Sequence, residues 1–114
     1  MPATVHVVSS HPALRRQLAL DLEAALGVPV EAFSLRFASR SASVVVTPAT
    51  DCSPAECARI VAAGARVLIL ATVPFEEERE RYLKEGAAAY IPMTAGSPEL
   101  ARAVARVLAS SAAA

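Results

Sequence analysis

Short runs of β-branched residues alternate along the chain with segments whose apolar positions recur every three to four residues. That alternation predicts strands separated by helices, the pattern of a parallel sheet with crossover connections. Thr4 to Ser9 reads as the first strand. A helix follows over Pro12 to Leu26, with Leu14, Leu18, Leu22 and Leu26 as its buried stripe and Gly27 at its end. Residues from Pro29 to Phe37 alternate, with Phe33, Leu35 and Phe37 on one face, as expected for an edge strand. Ser43 to Thr47 is a continuous valine-rich run of the buried central kind. Only Ala38 to Ala42 separate these two strands, too few for a crossover helix, so a single turn or an extended loop is expected there.

Ser53-Pro54-Ala55-Glu56 is a capping box with proline at the first helical position, opening a helix to about Ala63. Val67 to Ala71 is another buried strand. The helix from about Phe75 to Glu85 carries Glu76, Glu77 and Glu78 in its first turn, where the helix dipole favours anions. Glu77–Arg81 and Glu80–Lys84 are expected as exposed pairs four residues apart. Ala88 to Ile91 is the last strand. Ser97-Pro98-Glu99 then caps a final helix with Leu100, Val104, Val107 and Leu108 as its core stripe. Ser110 to Ala114 is expected to fray or to begin a linker, leaving residues 1–109 as the domain.

At 114 residues the chain makes one domain, and with 54% hydrophobic but 4% aromatic residues its core should be aliphatic. A formal net charge of +0 argues against broad electrostatic capture of nucleic acid or anionic membrane. No apolar run approaches the roughly 18 residues that cross a bilayer, and no basic leader precedes one, so a soluble cytoplasmic protein without membrane partners is expected. Cys52 and Cys57 have neither zinc-pair spacing nor a second pair beside them, and Cys57 reads as a buried helical thiol. His6 falls within a strand and reads as a core or edge residue. His11 beside Ser10 has the look of a base beside its nucleophile, yet neighbours on a tight turn do not reach that geometry and no acid orients the ring. No metal and no cofactor are expected.

The stretch Ser9-Ser10-His11-Pro12-Ala13-Leu14-Arg15-Arg16-Gln17-Leu18 resembles the first loop and helix of two-component receiver domains, most of all those of the NarL/FixJ group. There the same stretch reads Asp-Asp-His-Pro, an apolar pair, Arg-Arg and another apolar residue. Val67 to Thr72 followed by Lys84-Glu85-Gly86-Ala87-Ala88-Ala89-Tyr90-Ile91 is similar to the fourth and fifth strands of a receiver, and Ser97-Pro98-Glu99-Leu100 to the start of its last helix. The matched stretches cover a little more than half of the chain. The implied fold is α/β and flavodoxin-like (CheY-like): an open five-stranded parallel sheet with helices on both faces, its second helix shortened or missing.

A working receiver needs an acid pair, a phosphoacceptor aspartate after the third strand, a hydroxyl after the fourth and a lysine after the fifth. On this sequence the resemblance places Ser9 and Ser10 at the acids, Thr47 or Pro48 at the acceptor, Ala71 at the hydroxyl with Thr72 one residue late, and Met93 at the lysine. Realignment does not restore the set, because the only aspartates are Asp21 and Asp51 and the only lysine is Lys84. Serine hydroxyls lack the charge with which carboxylates hold Mg²⁺, and phosphoryl transfer depends on a cation at the developing charge. Asp51, in the loop after the third strand, is expected as a turn or helix-entry residue and not as a displaced acceptor. Tyr90 stands where receivers carry a switching aromatic, but its usual hydroxyl partner is Ala71, so a fixed packing or interface role is expected.

These features predict an atypical receiver domain acting by protein contact, without enzymatic activity. The resemblance implies the N-terminal half of a regulator whose LuxR-type helix-turn-helix, outside this segment, would meet DNA. A homodimer or another protein partner is expected at the surface formed by the Phe75 helix, the last strand and the final helix. There Arg79, Arg81, Lys84, Tyr90, Arg102 and Arg106 are the candidate contacts. The alternative face joins the first and last helices through Arg15, Gln17 and Ala103. An alternative function is ligand sensing in the vacated pocket of Ser9, Ser10, Thr47 and Thr72. An enzyme on this frame has little support, since the chain lacks a glycine-rich phosphate loop, a metal cluster and an acid–base pair.

Overall fold

The valine-rich runs lie side by side in the middle of one parallel sheet, where both of their faces are covered. The computed structural model describes residues 4–33, 44–93 and 97–113. Its elements are β1 (Val5–Val8), α1 (Pro12–Leu26), β2 (Val30–Phe33), β3 (Val44–Pro48), a 3₁₀ turn (Ala49–Asp51), α2 (Pro54–Ala62), β4 (Arg66–Ala71), α3 (Glu76–Lys84), β5 (Ala89–Pro92) and α4 (Ser97–Ala113). The strand order is β2-β1-β3-β4-β5, and every neighbouring pair is parallel. This is the flavodoxin-like order, and the reversal between β1 and β3 opens a crevice at the carboxyl ends of the strands.

Alternation along each strand divides the core in two. Val5, Val7, Val44, Val46, Leu68, Leu70 and Ile91 meet Leu22 of α1 and Leu100, Val104 and Val107 of α4. Val8, Val45, Val67 and Ile69 meet Cys57 of α2 and Tyr82 of α3 on the opposite face. Each fully buried valine or leucine contributes about 1.5–3 kcal/mol from the water it leaves. Of the expected α1 stripe only Leu22 is fully buried, while Leu14, Leu18 and Leu26 are half-buried. The reason is position: α1 lies over β1 and the edge strand β2, with α4 on one side only.

Local signals set the helix ends. Gly27 takes the left-handed conformation (φ 68°), and its N–H donates to the Glu23 carbonyl at 2.9 Å. The Ser53 hydroxyl accepts from the Glu56 N–H at 3.2 Å, and the Glu56 carboxylate accepts from the Ser53 N–H at 3.0 Å, closing the capping box. The last helix runs to Ala113, and its alanine-rich end costs little helix propensity. The expected pairs of α3 do not close. Glu77–Arg81 and Glu80–Lys84 remain apart, and Arg79 instead meets Glu76 at 3.0 Å. Exposed ion pairs gain only about 0–1 kcal/mol over hydrated charges, so sequence spacing does not dictate which ones form. Leu35, Phe37 and the Ala38 to Ala42 connection lie outside the described residues. No described helix is long and apolar enough to cross a membrane.

Candidate functional site at the carboxyl pole

The residues expected around a phosphorylation pocket do converge on the crevice. Ser9 and Ser10 leave β1, Thr47 and Pro48 end β3, Ala71 and Thr72 end β4, and Met93 follows β5. The chemistry they form is an internal lattice. Ser9 is fully buried; its hydroxyl accepts the His11 N–H at 3.1 Å and its carbonyl accepts from the Arg15 guanidinium at 2.7 Å. These bonds hold the entry of α1, where Pro12 occupies the first turn. The Ser10 hydroxyl donates to one oxygen of Asp51 at 2.6 Å, and its backbone N–H donates to the other at 3.2 Å. Asp51, at the end of the 3₁₀ turn, is thus a turn residue that clasps the β1–α1 loop to the β3–α2 loop.

The remaining places are apolar or turned aside. Thr47 is buried, and among the described residues its hydroxyl has no hydrogen-bond partner. Ala71 is fully buried and offers only a methyl group. The exposed Thr72 hydroxyl points to the Met93 sulfur at 3.7 Å. Met93 itself folds toward Leu14, Leu18, Leu70, Ile91 and Leu100, around an apolar cavity of about 160 Å³. Where a receiver would hold a lysine over its acceptor, this chain fills space between α1 and α4.

Mg²⁺, the metal that the receiver resemblance implies, finds no suitable donors. A hard divalent cation calls for several oxygen ligands with carboxylates among them. The crevice supplies one carboxylate, already engaged by Ser10 through both oxygens. Among the described residues no group of three His, Cys, Asp or Glu is placed to hold a metal ion.

Two tyrosines brace the pole from α3 and β5. Tyr82 is buried; its hydroxyl donates to the Cys52 carbonyl at 2.5 Å, with the Ala49 carbonyl at 3.2 Å, so it fastens both ends of the turn that carries Asp51. Burial pushes its phenol up to about 12. Its ring centroid lies 6.1 Å from that of Tyr90. The Tyr90 hydroxyl donates to Glu78 at 2.5 Å and accepts the Phe75 N–H at 3.4 Å, which ties β5 to the start of α3. Both thiols are buried: burial, reinforced by Cys57, pushes Cys52 up to about 12, and burial also raises Cys57. His6 is buried, and burial pulls its imidazole down against the raising effect of Glu31, 3.3 Å away on the neighbouring strand.

Tyr82 is the residue that sequence reading passed over. It is the only residue of α3 that is fully buried, on a helix otherwise dominated by charge, and that isolation was the available signal. The expected interface residues separate onto two surfaces. Arg79, Tyr90, Arg102 and Arg106 line a groove over β5 between α3 and α4. Arg81 and Lys84 instead line a groove on the other side of α3, facing α2.

Comparisons agree with this geometry at the level of fold. The chain is similar to the structure of a response regulator receiver protein from Pseudoalteromonas atlantica, with a TM-score of 0.76, 18% identity, and 94% of this chain and 98% of that one covered. It is similar to a LuxR-family DNA-binding response regulator from Silicibacter pomeroyi, with a TM-score of 0.76, 20% identity, and coverage of 96% and 93%. A DNA-binding response regulator of the LuxR family from Staphylococcus aureus matches with a TM-score of 0.76, 13% identity, and coverage of 93% and 98%. No protein-family model and no curated protein matches the chain. The chain has the receiver fold.

Proposed function

We propose that this domain is an atypical receiver that signals by protein association and not by accepting a phosphoryl group. One observation carries the reading: the one carboxylate that the described residues bring to the crevice is held through both oxygens by Ser10, while the acceptor, hydroxyl and lysine places are Thr47 or Pro48, Ala71 and Met93. The domain on this reading has no catalysis of its own and works in the cytoplasm. It forms the N-terminal half of a DNA-binding regulator, as the LuxR-family likeness suggests, with DNA contacts made by a helix-turn-helix outside this segment. Its association is constitutive, in a homodimer or with another protein. The groove over β5, with Arg79, Tyr90, Arg102 and Arg106, is the surface offered to a downstream partner.

Ligand sensing in the vacated pocket has less support, because the Ser10 hydroxyl and N–H that would bind an anion are both committed to Asp51. Sedimentation equilibrium with and without Mg²⁺ and acetyl phosphate tests the proposal. The same association constant is expected in both; a dimer that forms only after acetyl phosphate, with mass added to the chain, would refute it.

A further inference from the structure

We infer that the second copy docks in the groove between α2 and α3, pairing the two α3 helices antiparallel about a two-fold axis. This rests on the self-association proposed above and names the surface that it uses. Glu77, Glu80, Arg81 and Lys84 follow one another at the spacing of a single helix face, and all four are exposed. These four are divided by sign, with both acids toward the N-terminus and both bases toward the C-terminus, and Glu85 follows them at the C-terminal end of the groove. Over the ~10 Å from Glu77 to Lys84, an antiparallel copy sets Glu77 opposite the partner's Lys84, and Glu80 opposite the partner's Arg81. An isologous contact requires such a self-complementary pattern.

Two further observations favour this surface. The charges remain available, because neither Glu77–Arg81 nor Glu80–Lys84 closes within the helix while Arg79–Glu76 does. A second helix also has room: α2 presents only Pro54, Ala55 and Ala58 toward the stripe, leaving an open groove of about 850 Å³ beside it. Phe75, 55% exposed at the start of α3, supplies an apolar contact at each end of the pairing. The groove over β5 lacks this self-complementarity, because it carries three arginines against the single Glu99.

Charge exchange in the full chain tests the inference. Glu77→Lys with Glu80→Lys makes these four positions cationic, and Arg81→Glu with Lys84→Glu makes them anionic. Sedimentation velocity should show each variant alone dissociating at least about tenfold more readily than the parent, since like charges then meet across the axis. An equimolar mixture should restore a one-to-one dimer, a result that misfolded variants would not give. A parent dimer that withstands both exchanges and is lost in Arg102→Glu with Arg106→Glu would overturn this surface while leaving self-association standing. A strictly monomeric parent at millimolar concentration would overturn both.

Discussion

At the carboxyl pole of the sheet the polar groups of the loops are committed to one another, with the buried Thr47 hydroxyl left over, whereas on the groove side of α3 they are left to water. Ser10 and Asp51 join the loop after β1 to the 3₁₀ turn, Tyr82 joins that turn to α3, and Ser9 holds the entry of α1. Glu77, Glu80, Arg81 and Lys84 form no ion pair among themselves. The contrast follows from burial. A polar group taken out of water costs about 1–3 kcal/mol if left unpaired, while a hydrated surface charge loses almost nothing. Loops whose carboxylate and hydroxyls are paired have little to offer a ligand, and a region of unpaired, patterned charge has something to offer a partner. The receiver fold is thus kept, and on the function proposed above its contact surface lies on the flank and not at the pole.

Removing a buried bond should break the pole most severely. Tyr82→Phe leaves the Cys52 and Ala49 carbonyls without their donor and should cost about 1–3 kcal/mol in urea denaturation. The same phenol predicts an alkaline limit. Its pKa is raised in the folded chain to about 12 from an ordinary 10, so the native state holds the proton that the unfolded chain releases. Tyr82 therefore stabilises fully below pH 10, and this contribution declines as pH rises toward 12. Denaturation followed from pH 8 to 11.5 should show that decline, and Tyr82→Phe should make it shallower while leaving the part that the buried Cys52 and Cys57 thiols contribute.

A smaller effect is expected at the clasp. Asp51→Ala removes two bonds at an accessible site and should cost about 1 kcal/mol, read as a lower urea midpoint at unchanged slope. The smallest belongs to the flank. Glu77→Gln with Lys84→Gln should leave the stability of the dilute chain within about 0.5 kcal/mol, because among the described residues neither charge has an ion-pair partner to lose. A loss of several kcal/mol there would abolish the contrast between the two regions.

What the sequence made legible was local. The capping box at Ser53 and Glu56, Gly27 at the end of α1 and the valine runs of β1 and β3 each involve residues within a few positions of one another, so pattern alone specifies them. The receiver-like places at the pole were legible for the same reason, since each lies at the end of a recognisable strand. The bonds that unite the pole were not. Ser10 and Asp51 are 41 residues apart and Tyr82 and Cys52 are 30, and only the register of the parallel sheet brings them together. The candidate interface residues fall on two surfaces for a related reason. Arg79 and Arg81 are neighbours in sequence, but a helix turns them to opposite sides, one toward α4 and the other toward α2.

The central claim is that the pole is closed to phosphoryl chemistry, and amide NMR of the chain with Mg²⁺ and then beryllofluoride tests it most directly. The Ser10, Asp51 and Thr72 amides, which sit on the three loops of the crevice, should keep their positions through both additions. Shifts at all three on adding beryllofluoride, absent in Asp51→Asn, would show an acceptor at work and contradict the account.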